Sequence, residues 1–99
     1  MDPAAILSPL PDLVLWRGEG CHLCDDARVL VTALLAERAA EGRPAPALVE
    51  RRIADDPAAL RDLFELIPVL ELGGRRLPLA MRSGPVRAFL ADALDGPGS

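Results

Sequence analysis

Cys21 and Cys24 are the only cysteines of this 99-residue chain, with His22 and Leu23 between them. They lie in RGEGCHLCDDARVL, residues 17–30, where an apolar strand-like run gives way to a helical pattern. On a helix, positions i and i+3 share a face with their Cβ atoms roughly 5–6 Å apart, so a small local adjustment brings the two sulfurs within disulfide range. Cys21 falls before or at the first helical residue, where its sulfur meets unpaired amide donors and the positive end of the helix dipole. That setting favours the thiolate, the form that attacks disulfides. Gly18 and Gly20 let the preceding loop turn sharply. Spacing, placement and dipole together describe a redox pair.

Two other readings of the pair stay open. Tetrahedral zinc takes four ligands, and beyond the two thiols the chain offers one histidine, His22. A metal or iron–sulfur cluster would therefore need carboxylates or a second subunit, and no metal is assigned to this chain alone. The third reading is a pair of inert buried thiols. Under the redox reading no bound cofactor is expected. Among the neighbours, a protonated His22 would lower the pKa of Cys21 by attraction, while the plainer reading is an exposed loop imidazole. Asp25 and Asp26 suit the first turn of a helix, and their charge opposes thiolate formation. Trp16 is read as a core residue in preference to a substrate platform, and Arg75-Arg76 as a solvated hairpin tip.

The elements that must hold the pair follow from periodicity. DLVLWR, 12–17, reads as a buried strand. Beyond Cys24, the residues Ala27, Leu30, Val31, Leu34 and Leu35 form one helical stripe, with Arg38 and most charges off it, and Gly42 and Pro44 stop the helix. PALVERRI, 46–53, is a second strand. Asp56 and Pro57 suit the N-cap and first position of a second helix. IPVLEL, 67–72, and RRLPLAM, 75–81, are strands joined by a Gly73-Gly74 turn. Leu77, Leu79 and Met81 alternate along the last, and Pro78 puts it at a sheet edge. Ser83 is expected to cap a final helix bearing Val86, Phe89, Leu90, Ala93 and Leu94. The order is β-α-β-α-β-β-α, whose first crossover should be parallel and right-handed. One domain is expected over residues 12–95, after a flexible tail at 1–11 and before a frayed end at 96–99.

Composition narrows the function. The chain is 51% hydrophobic with a net charge of −4 and contains no lysine. An acidic balance without a basic cluster argues against nucleic acid as the partner. No apolar stretch approaches the roughly 18 residues of a membrane span, and the first residues lack the pattern of a secretory signal. A cytoplasmic protein is expected. In that compartment paired cysteines do chemistry more often than they staple structure.

The strand, the CxxC pair, the helix and the later Ile67-Pro68-Val69 resemble the thioredoxin-fold proteins. Within them, CHLCDDA, residues 21–27, is similar to the motif of small glutaredoxin-like proteins, and the resemblance runs from about Asp12 to Leu94. It implies a thioredoxin-like α/β fold, with a four-stranded mixed sheet of order 2-1-3-4, the first and last helices on one face and the second on the other. It also implies thiol–disulfide oxidoreduction, with Cys21 as nucleophile and Cys24 as resolving cysteine. Pro68 matches the family's cis-proline, which turns the Ile67 backbone toward the cysteines to pair with substrate. The expected partner is a disulfide-containing protein or glutathione, the latter as candidate co-substrate. The chain departs from glutathione-binding relatives where they carry Gly-Gly and Asp after the fourth strand. It has MRSGPV there, residues 81–86, and Leu23 replaces a common Tyr. Ser83, at the start of the last helix, and Arg17 are the remaining candidates for a substrate carboxylate.

Overall fold

The computed structural model describes residues 10–95. The tail expected over 1–11 and the frayed end at 96–99 fall outside that range, apart from Leu10 and Pro11. The described elements are β1 (Leu13–Arg17), α1 (His22–Ala40), β2 (Leu48–Arg52), a 3-10 turn (Ile53–Asp55), α2 (Pro57–Leu63), β3 (Val69–Leu72), β4 (Arg75–Leu77) and α3 (Ser83–Leu94). They form one four-stranded sheet of order β2-β1-β3-β4. β1 pairs in parallel with β2 and antiparallel with β3, and β3 pairs antiparallel with β4. The expected order and mixed character are those observed.

Period-two alternation in β1 divides the core. Leu13 and Leu15 point to one face and are fully buried with Ala27, Val31 and Leu34 of α1, Leu70 and Leu72 of β3, and Val86 and Leu90 of α3. Trp16 points to the other face and packs with Ile53, Ala59, Leu63 and Val69 under α2. This settles Trp16 as a core residue, 5% exposed, whose indole Nε1 donates to Glu71 Oε1 at 3.1 Å. The central strand is therefore apolar on both sides, while β2, on an edge, can carry exposed Glu50, Arg51 and Arg52.

The helix ends follow capping chemistry. Asp56 Oδ1 accepts from the Ala59 amide at 3.0 Å, with Pro57 at the first helical position. At the end of α1, Gly42 lies at φ 72°, its amide bonds Ala39 O and the Arg43 amide bonds Arg38 O. These two bonds make a Schellman motif. Gly73 and Gly74, both at positive φ, close the β3–β4 hairpin between the paired Leu72 and Arg75.

Two expectations need correction. The fourth strand ends at Leu77 rather than Met81. Pro78 offers no amide to the ladder, and Leu79 adopts φ 51°. The alternation flips there, so Ala80 is buried while Leu79 and Met81 are exposed. Ser83 is the first residue of α3 and does not cap it. The N-cap position is the extended Arg82, with no side-chain cap bond. Arg38, off the apolar stripe of α1, is nonetheless buried. Its Nε donates to Pro44 O at 2.7 Å, and its other nitrogens meet Asp95 at the end of α3. Those partners lie beyond the helix, so a charge stripe along α1 does not show them. Among the described residues, no helix is long and apolar enough to cross a membrane.

Candidate functional site

The site forms where β1 passes into α1. Gly20 sits at φ 62° just ahead of the pair, a left-handed turn that side-chain-bearing residues adopt only at a cost. It leaves Cys21 extended at the N-cap of α1, with φ −88° and ψ 103°. The Cys21 sulfur accepts a hydrogen bond from the Cys24 amide at 3.1 Å, taking the place that a serine or aspartate oxygen fills at most helix starts. Cys24 lies one turn into the helix and is fully buried, whereas Cys21 is half-buried. The two are joined as a disulfide, with Cα atoms 5.2 Å apart. Cys21 thus stands half-buried at a helix N-terminus, and Cys24 is enclosed one turn behind it.

A second segment comes up beside the first. The Ile67–Pro68 peptide is cis. Pro68 is fully buried, so its ring shapes the segment and presents no surface, while Ile67 is half-buried. Leu66 O and Pro68 O accept from the Leu79 and Ala80 amides at 2.9 and 2.8 Å, which ties this loop to the chain leaving β4. Gly18 has a different task from Gly20. A Cβ built on Gly18 would stand 2.9 Å from Ile67 Cδ1 and 4.0 Å from the Cys21 Cβ. Glycine at 18 therefore lets the Ile67 side chain approach the cysteine loop. The sequence suggested a turn here and not this contact.

Arg17, at the end of β1, is largely enclosed. Its Nη2 meets Asp25 Oδ1 at 2.7 Å and its Nη1 meets Glu50 Oε1 at 3.0 Å. Its Nε donates to Gly18 O at 3.3 Å, and Nη2 lies 3.5 Å from Cys21 O. The Asp25 carboxyl is held below the usual carboxylate range, first by its hydrogen bond from Arg17. The Arg17 guanidinium is pushed up, first by its bond to Asp25 and against the cost of burial. Arg17 is thus engaged within the protein, and Asp25 serves an ion pair rather than a backbone cap. Nothing in residue order pairs position 17 with 25, because the contact exists only once β1 is seated beside α1.

The remaining candidates are peripheral. His22 is the exposed first residue of α1. Ser83 is exposed at the start of α3, three residues after the Ala80 amide that bonds Pro68. Among the described residues, no group of three or more His, Cys, Asp or Glu side chains converges to hold a metal ion.

No family model matches the chain, and no curated protein does. A search of solved structures finds the X-ray structure of Northeast Structural Genomics target protein XcR50 from X. campestris. It is 32% identical, the match covers 82% of this chain and 97% of that one, and the TM-score is 0.63. With the sheet order and helix placement above, the fold is thioredoxin-like, and at that identity and coverage the chain belongs to the same family as the X. campestris protein.

Proposed function

We propose that this protein is a glutaredoxin-like thiol–disulfide oxidoreductase. The observation that carries the reading is the asymmetry of the pair, with Cys21 half-exposed at the N-cap of α1 and Cys24 buried one turn in. In the dithiol form the Cys21 thiolate attacks one sulfur of a substrate disulfide. The substrate S–S bond breaks, a mixed disulfide forms, and the departing thiolate takes up a proton. Cys24 then loses its proton and attacks the Cys21 sulfur, closing the Cys21–Cys24 disulfide and releasing the second substrate thiol. The substrate gains two electrons and the protein loses two. Two equivalents of a thiol such as glutathione, or one dithiol reductant, restore the starting form. The Ile67 backbone, set by its cis bond to the buried Pro68, docks an extended substrate, His22 modulates Cys21, and Ser83 stands as the candidate anion contact, since Arg17 is held by Asp25 and Glu50. The substrate is a disulfide-containing protein or glutathione, in the cytoplasm, with no bound cofactor.

The test separates the two cysteines. Cys24→Ser should stall at a mixed disulfide with oxidised glutathione or with lysate proteins, detected by mass spectrometry. Cys21→Ser should trap much less. Equal trapping would overturn the assigned roles. Absence of any adduct, together with bound zinc or iron, would replace this reading by a metal-bridging module.

A further inference from the structure

We propose that Arg17 is a positioning residue that sets the reactivity of Cys21 by cancelling the charge of Asp25. The inference rests on the redox reading of the cysteine pair and adds to it a residue that controls the attacking sulfur.

The need for such a residue comes from Asp25 itself. It follows Cys24 directly, and its amide bonds Cys21 O at 3.0 Å as the first full helical bond of α1. Its backbone is thus tied to that of Cys21, which places its carboxylate in the first turn of the helix that Cys21 caps. A carboxylate there steadies the helix start but repels a thiolate at the N-cap. The chain places an acid where its nucleophile is least served by one. Arg17 resolves this from another element. It crosses from the end of β1 to within 2.7 Å of Asp25 while bracing the loop carbonyls of Gly18 and Cys21.

The surrounding charges are few. Glu50 of β2 holds the second arm of Arg17 and lies 3.8 Å from Arg28. His22 and Arg28 act on Asp25 through space from α1. Glu19 of the loop is paired with Arg52 of β2 at the exposed rim. Arg17 and Arg28 offset Asp25 and Glu50, and the exposed Asp26 of the same turn adds a further negative charge that is common to every variant below. Removing Arg17 makes the surroundings of Cys21 more negative, and removing Asp25 makes them more positive. An uncancelled charge one helical turn away, roughly 6 Å, moves a thiol pKa by about 0.5–1 unit at effective dielectric constants of about 80 to 40.

The experiment measures the pH dependence of iodoacetamide alkylation at Cys21, in a Cys24→Ser background so that one thiol reports. Arg17→Gln should raise the Cys21 pKa by about 0.5–1 unit and slow alkylation below that pKa by about 3- to 10-fold. Asp25→Asn should lower the pKa by a similar amount. The Arg17→Gln/Asp25→Asn pair should return it near the parent value, and Arg17→Lys should keep it there because the charge is kept. A purely structural Arg17 would shift the melting temperature and leave these pKa values in place. An unchanged pKa in Arg17→Gln, or a double variant as high as Arg17→Gln alone, overturns the inference. If Arg17→Gln does not fold, Asp25→Asn and Arg17→Lys decide the matter. The alkylation readout needs no substrate, so failure of the redox reading would show separately, as absent mixed disulfides in an otherwise normal titration.

Discussion

The close approach of Gly18 to Ile67 makes a quantitative demand on a double-mutant cycle. Gly18→Ala would place a methyl 2.9 Å from Ile67 Cδ1, well inside the roughly 3.5–4.0 Å of a comfortable carbon–carbon contact. The Ile67 tip must retreat by about 0.5–1 Å, and turning it out of its rotamer well costs about 0.5–1.5 kcal/mol. Gly18 is not in the left-handed region, so alanine also stiffens the unfolded chain and gains about 0.4–1 kcal/mol. In the parent protein the two effects nearly offset. Ile67→Val removes Cδ1, at about 0.5–1 kcal/mol for a half-buried side chain. With Cδ1 gone only the gain remains, so Gly18→Ala should stabilise the Ile67→Val protein. The expected coupling is about 1 kcal/mol, equivalent to about 4–8 °C in melting temperature for a domain of this size. Urea denaturation of the four proteins at constant redox state would measure it. Additivity within about 0.3–0.5 kcal/mol would refute the contact between the cysteine loop and the Ile67 segment.

Two further outcomes test other parts of the structure. Gly20→Ala meets no atom within 4 Å yet sits at φ 62°, so it should cost about 1–2 kcal/mol, read as a lower denaturation midpoint, and Ile67→Val should not relieve it. Asp95 is held below the usual carboxylate range, first by its hydrogen bond from Arg38 and then by that from Arg43. A depressed folded-state pKa contributes stability above the ordinary value and loses it as pH falls through the folded one. Asp95→Asn should therefore be less stable near neutrality and lose less stability on acidification below about pH 4, as thermal melts across that range would show.

What sequence reasoning reached and what it missed divide along a physical line. The cysteine pair, the Asp56 cap and the Gly73-Gly74 turn depend on residues close in sequence and were legible from them, whereas the strand order was reached through the resemblance to thioredoxin-fold proteins. The end of the fourth strand was not, because one left-handed residue, Leu79, reversed an alternation that otherwise continued to Met81. The burial of Arg38 was not legible for a related reason. A charge on a helix reads as solvated unless its partners are known, and those partners are Pro44 O and the distant Asp95. The Arg17–Asp25 pair and the Gly18–Ile67 contact share this property. Each joins two segments whose proximity exists only after the sheet is assembled. The cysteine pair was local in sequence, and the contacts that surround it were not.

Trp16 is the only tryptophan and the chain has no tyrosine, and that indole belongs to the smaller cluster beneath α2 rather than to the layer between the sheet and the two longer helices. Intrinsic fluorescence is thus a reporter of one face alone, whereas far-ultraviolet circular dichroism is weighted toward α1 and α3. α2 has seven residues, and short, lightly packed units open at lower free energy than the main core. The two signals watch different parts of one molecule, and a gap between their transitions would mark the α2 layer parting from the sheet while the cysteine-bearing helix stays folded.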